Sequence, residues 1–176
     1  MRWLPFQLNP DLPESGIPRE EYVARKFGGR GKGVNERVIM AGRQLGIPFE
    51  YEKMKVQPNT LNAHRLMLYA EREGKQDELA EELFRAHFTE GAILADRETL
   101  ADIAARAGLD RKAVADYLAG DEDKALIEQA DVEARSAGIG GVPFFIFNRK
   151  IGLSGAQDAE TLLEAMEQAL KEEGRE

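Results

Sequence analysis

The twenty residues "GIGGVPFFIFNRKIGLSGAQ", Gly138 to Gln157, constrain the fold more than any other part of the chain. A glycine loop runs into Val142-Pro143, where proline lacks the N–H a ladder needs and so belongs at a strand start or an edge. "VPFFIFN" reads as a short apolar strand, Arg149-Lys150 as a turn and "IGLSG" as a second strand. "AQDAETLLEAMEQALKEEG" then closes as an amphipathic helix with Leu162, Leu163, Met166 and Leu170 on one side. An X-Pro bond adopts cis for about 0.5–1 kcal/mol. A cis bond here would present the N–H and C=O of Val142 to an extended peptide pairing as an added strand. An ordinary trans proline opening a strand is the alternative that the local sequence leaves open.

Everything before this stretch has a different texture. "RWLPFQLNP" alternates bulky apolar and polar groups and predicts a strand running into a turn, with Trp3 in the core. "DLPESGIP" is a proline-rich loop, and Pro18 opens a helix that Gly28-Gly29 stops. "GGRGKG" has no preceding strand and no Ser or Thr after Lys32, so it reads as a solvated linker rather than a phosphate cradle. From Asn35 the pattern is helical. The first helix is patterned on Val38, Ala41 and Leu45, the second is capped by Asn59 or Thr60, and a third carries Leu79, Leu83 and the Phe84/Phe88 pair. Three more follow, each ending near a glycine. His64, between Leu61 and Leu68, reads as a half-buried histidine or a ligand contact.

The chain has 176 residues and a net charge of −8, against the basic face that phosphate binding needs. No apolar run approaches the roughly 20 residues of a membrane span. The expected partners therefore include neither nucleic acid nor membrane. The absence of cysteine excludes disulfides, thiolate catalysis and cysteine-ligated metals within this chain. Two histidines, far apart, do not make a zinc site. No charged-then-apolar leader opens the chain, which points to the cytoplasm.

Taken in order, "RWLPFQLNPDLPESG", "PNTLNAHRLM", "FTEGAILADRETLADIAARAGLD", "GIGGVPFFIFN" and "SGAQDAETLLEAM" resemble the DsbA-like branch of the thioredoxin superfamily. Within it they are most similar to the cytoplasmic FrnE-like proteins and their relatives, the 2-hydroxychromene-2-carboxylate isomerases and kappa-class glutathione transferases. The resemblance implies a thioredoxin-like α/β core with a large helical insertion. Residues 1–9 and 140–171 would form the core pieces, and residues 10–139 the loop and helical insertion. It implies a cis-proline loop at Val142-Pro143, a helix start bordering the active site at Asn59, Thr60 and His64, and a carboxylate-holding junction at Gly155, Ala156 and Gln157. Glutathione-binding relatives have Ser-Asp where Ala156-Gln157 stands, which removes hydroxyl and carboxylate contacts to that tripeptide.

The resemblance begins at the family's second strand. The first strand and the helix that bears the nucleophile, usually Cys-x-x-Cys, are expected to be absent. Ser15, Ser136 and Ser154 have no paired histidine and do not replace it. In the thioredoxin arrangement the absent strand is central, so two outcomes are expected. Either Met1–Phe6 shifts into the vacant place, or a second copy completes the sheet as a homodimer or strand-exchanged oligomer. The implied activity is thiol–disulfide exchange on an extended peptide or small thiol, with this chain redox-inactive and keeping only the substrate-binding half. The alternatives are a glutathione-dependent isomerase or transferase and a non-catalytic binding module. No cofactor is expected beyond glutathione as a ligand.

"TLADIAARAGLDRKAVADYL", Thr99 to Leu118, also has helix-turn-helix spacing, with Ala104 at the contact, Gly108 in the turn, and Val114 and Leu118 inward. Acidic residues outnumber basic ones between Asp96 and Asp123, so an ordinary helix pair is the expected reading and a DNA binder the remote one.

Overall fold

The computed structural model describes residues 1–28 and 35–173. The glycine linker reading at residues 28–33 therefore falls almost wholly outside the described residues. The chain divides into two compact units, Met1–Glu128 and Gln129–Glu176.

In the first unit, β1 (Ile17–Pro18) leads into α1 (Arg19–Phe27), followed by α2 (Glu36–Gln44), a 3-10 turn (Tyr51–Lys53) and β2 (Val56–Gln57). β1 and β2 form a short antiparallel ladder that pairs Ile17 with Gln57. Then come α3 (Leu61–Arg72), α4 (Gln76–Arg85) continued by a π-helical turn (Ala86–Glu90), α5 (Arg97–Arg106) and α6 (Arg111–Ala119). The core lies among α3 to α6, where Leu66, Leu79, Leu100, Val114 and Leu118 are fully buried. Each such side chain contributes about 1.5–3 kcal/mol by leaving water.

Local chemistry sets the boundaries of these helices. Asp96 accepts the Thr99 N–H at 2.8 Å and Asp110 accepts the Ala113 N–H at 2.7 Å, so each helix of the α5–α6 pair starts on an aspartate cap. Gly108 turns between them at φ +87°, where a Cβ is strained. The α4 extension ends at Gly91, also left-handed at φ +77°, and a Cβ there would lie 2.6 Å from the Lys53 carbonyl oxygen.

α7 (Lys124–Ser136) spans the boundary between the units. The second unit continues with β3 (Phe144–Phe147), β4 (Ile151–Ser154) and α8 (Ala159–Glu173). β3 and β4 pair antiparallel with Phe145 opposite Leu153 and Phe147 opposite Ile151, as a hairpin read from "VPFFIFN" and "IGLSG" requires.

Several expectations are corrected. Met1–Asn9 is not a strand, and Met1–Phe6 enters neither described ladder, so it does not take a central place in a sheet. The physical reason is at Gln76, whose side-chain amide accepts the Trp3 N–H at 2.9 Å and donates to the Trp3 carbonyl at 3.1 Å. A side chain thus supplies the two bonds a neighbouring strand would have made. Trp3 itself is half-buried, its indole N–H on Asp77 at 2.6 Å. On α8 the buried positions are Ala165 and Ala169, while Leu163, Met166 and Leu170 stay exposed. On α2 the buried position is Gly42, under the Phe49 ring, and Val38 and Leu45 are exposed.

Candidate substrate site

The second unit places Val142, Pro143, Gly155 and Gln157 around the open end of the β3–β4 hairpin. The Val142–Pro143 peptide bond is cis, and both residues are exposed. Pro143 contributes its carbonyl to the hairpin, accepting the Gly155 N–H at 2.9 Å. Gly155 makes this turn with φ +83°. That bond fixes the parity of the strand. Residues 143, 145 and 147 turn their backbone groups toward β4, and Val142, Phe144 and Ile146 turn theirs away. The start of β3 thus offers a peptide-wide row of backbone donors and acceptors, beginning at Val142.

Gln157 is turned back onto the hairpin, its amide donating to the Ser154 carbonyl at 2.7 Å. The N-terminus of α8 is met by Asp158, whose carboxylate accepts the Thr161 N–H at 2.8 Å. The Thr161 backbone and side chain hold that carboxyl below the usual range, so it is charged at neutral pH. A fixed negative charge thus occupies the helix end at the junction of Gly155, Ala156 and Gln157.

The first unit places Asn59, Thr60 and His64 at the start of α3. Asn59 is the working cap. Its Oδ1 accepts the Leu61 N–H at 2.9 Å, and its Nδ2 donates to the Leu12 carbonyl at 2.7 Å, which pins the proline-rich loop. Thr60 caps with its backbone only, its carbonyl accepting the His64 N–H at 2.9 Å. His64 is half-buried and partnered. Asn62, one turn on from Asn59, donates to Glu14, which pairs with Arg97. The two groups of site residues thus lie in different units, four in one and three in the other.

Sequence reasoning missed Arg65, which is completely buried. Its guanidinium donates to the carbonyls of Glu122 at 2.7 Å, Gly120 at 2.9 Å and Tyr117 at 3.0 Å, and to Asn62 Oδ1 at 2.8 Å. It lies 5.0 Å from the Tyr117 ring centroid. These bonds satisfy the carbonyls at the end of α6 and tie them to α3. The available signal was an arginine set among Ala63, Leu66 and Ala70 on the buried face of a helix.

The α5–α6 pair has helix-turn-helix spacing, and its basic side chains are spoken for. Arg111 binds Asp102 and Glu98, and Lys112 binds Asp116. Among the described residues, no cluster of His, Asp or Glu is placed to hold a metal, and no helix is long and apolar enough to cross a membrane.

The family model described as DSBA-like thioredoxin domain matches residues 1–167. The chain belongs to that family. This DSBA-like chain is also similar to the crystal structure of a probable DsbA oxidoreductase from Streptomyces coelicolor. The two are 27% identical with a TM-score of 0.85, over 95% of this chain and 74% of that one. No curated protein matches. The fold is accordingly a DsbA-type thioredoxin-like one, mostly helical, with the large helical insertion expected of it.

Proposed function

We propose that this chain is a substrate-binding, redox-inactive member of the DsbA-like oxidoreductases. It receives an extended thiol-bearing peptide at the start of β3 and performs no thiol chemistry of its own. The observation that carries this reading is the exposed row of backbone groups beginning at Val142, in a chain without a single cysteine. An extended peptide pairs with such a row through its own main chain, and the pattern of side chains beside it sets preference. Thiol–disulfide exchange needs an attacking thiolate, and none exists here.

A peptide ligand fits better than glutathione. The junction at Gly155–Gln157, where a terminal carboxylate would be held, ends in the ionised Asp158. A second carboxylate there meets like charge, and Gln157 has already spent its amide on Ser154. His64, Asn59 and Thr60 act as supports for the proline-rich loop and the start of α3 within the first unit.

The test is a pair of measurements on the same preparation. Calorimetry should detect binding of an extended cysteine-containing peptide and weaker or no binding of glutathione. Insulin reduction driven by a dithiol should run at the rate of the dithiol alone. Turnover above that background would refute the reading, as would glutathione binding more tightly than the peptide.

A further inference from the structure

The proline-rich loop, residues 10–16, is tied to the helical unit by side chains. Its backbone bonds are local turns, Leu12 N–H to the Asn9 carbonyl and Gly16 N–H to the Pro13 carbonyl. Asn59 of the α3 cap donates to the Leu12 carbonyl at 2.7 Å. One carboxylate oxygen of Glu14, Oε1, accepts from Asn62 at 3.2 Å and from the Arg97 guanidinium. Arg97 is the first residue of α5, where the helix dipole disfavours a cation, and Glu14 supplies the compensating charge from 83 residues away. Asn62 is buried between Glu14 and Arg65, its Oδ1 accepting from Arg65 at 2.8 Å. With a cation on one side and an anion on the other, its amide has a single favourable orientation.

We propose that residues 10–16 form a strap that opens and closes on the starts of α3 and α5, with the Glu14–Arg97 ion pair as its latch, and that ionic strength sets the balance between the two states. The latch is open to salt: 57% of the Glu14 side chain and 38% of the Arg97 side chain are exposed, so dissolved ions screen the pair. Gly16 is the fixed end. It turns at φ +74°, a Cβ there would collide with the Gln57 carbonyl oxygen, and the next residue enters β1. Opening leaves the helices formed. Asn59 loses Leu12 but keeps its cap on the Leu61 N–H, and Asn62 loses Glu14 but keeps Arg65. The motion is therefore a local opening of the first unit, independent of peptide binding at Val142.

Hydrogen exchange of the Asn59 and Asn62 side-chain amides, followed by NMR, reads the strap directly, because both donate to it. Raising salt from about 0.05 M to about 1 M should speed both about threefold, after correction for a free asparagine amide. The backbone amides of Leu66 and Ala70, within α3, should not change. Glu14→Gln keeps an acceptor for Asn62 and removes the charge, so at low salt it should exchange at the high-salt rate and lose the salt dependence. Arg97→Gln should do the same, and the double variant should add nothing to either. Exchange independent of salt in the unmodified chain would overturn the proposal. So would a folded Glu14→Gln variant that exchanges as slowly as the unmodified chain. Asn59 and Asn62 amides that exchange only as fast as the α3 backbone would also overturn it, since the strap would then leave only when the bundle unfolds.

Discussion

Arg65 is the residue on which the helical unit most depends. Its positive charge is withdrawn completely from water and compensated by backbone carbonyls at the end of α6. Substitution removes the cation and leaves several of those carbonyls without their donors. Arg65→Ala is expected to cost about 3–5 kcal/mol, and Arg65→Lys to recover only a part, because an ammonium lacks the planar fork. Urea denaturation followed by circular dichroism measures both, and a loss below about 1 kcal/mol for Arg65→Ala would contradict the assignment. The residue was hard to read because a sequence shows an arginine as a surface residue by default. Only the helix end facing it, fifty-odd residues away, makes its burial favourable.

His87 sits in the π-helical turn, 92% removed from water. Its Nδ1–H donates to the Ala92 carbonyl at 3.2 Å, since a carbonyl only accepts. Burial holds its pKa below the ordinary 6.5; the Ala92 bond opposes this in part and the charge of Arg19 adds to it. Below 6.5 the unfolded chain therefore takes up a proton that the folded chain resists. Stability from this group is full above the unfolded value and is lost as pH falls toward the folded one. The denaturation midpoint should drop between about pH 7.5 and 5.5, and His87→Gln should flatten that slope. A slope unchanged by the substitution would locate the titration elsewhere.

At the scale of elements, local chemistry was legible where the sequence carried both a start and a stop. The hairpin from Phe144 to Ser154 was readable because Pro143, an apolar run and a basic turn leave few other folds. The α5–α6 pair was readable from its spacing and from Gly108. The faces of α2 and α8 were not. Periodicity marks an apolar stripe but cannot say which part of it meets a neighbour, and here small residues, Gly42, Ala165 and Ala169, take the contact positions. The segment Met1–Asn9 misled for a related reason. Alternation describes a strand only when another strand is present to pair with, and Gln76 makes those bonds to Trp3 instead. Gly91 gives a sharper test of element packing. Gly91→Ala combines a left-handed backbone with a Cβ pressed on Lys53, so a loss of about 2 kcal/mol or more is expected in thermal melts. An unchanged midpoint would show that the α4 extension and the Tyr51–Lys53 turn can part without cost.

For the whole molecule, the family is that of DSBA-like thioredoxin domains, yet this chain contains no cysteine. The part of the candidate site that sequence could reach was the backbone platform, because proline and glycine write backbone geometry into the sequence directly. The polar surroundings were less accessible. Asn59 was expected to cap a helix and does, but its second bond to Leu12 and the occupation of the α8 terminus by Asp158 depend on folded distances. On the function proposed above, this chain receives an extended chain and does not attack it.

The most direct test of that claim is a map of backbone amide shifts as an extended cysteine-containing peptide is titrated into the 176-residue chain. The account predicts progressive, saturating shifts at Val142 and Phe144, smaller ones at Gly155, and no covalent adduct at any ratio. Saturating shifts confined to the α3–α6 bundle, with Val142 and Phe144 unmoved, would contradict it.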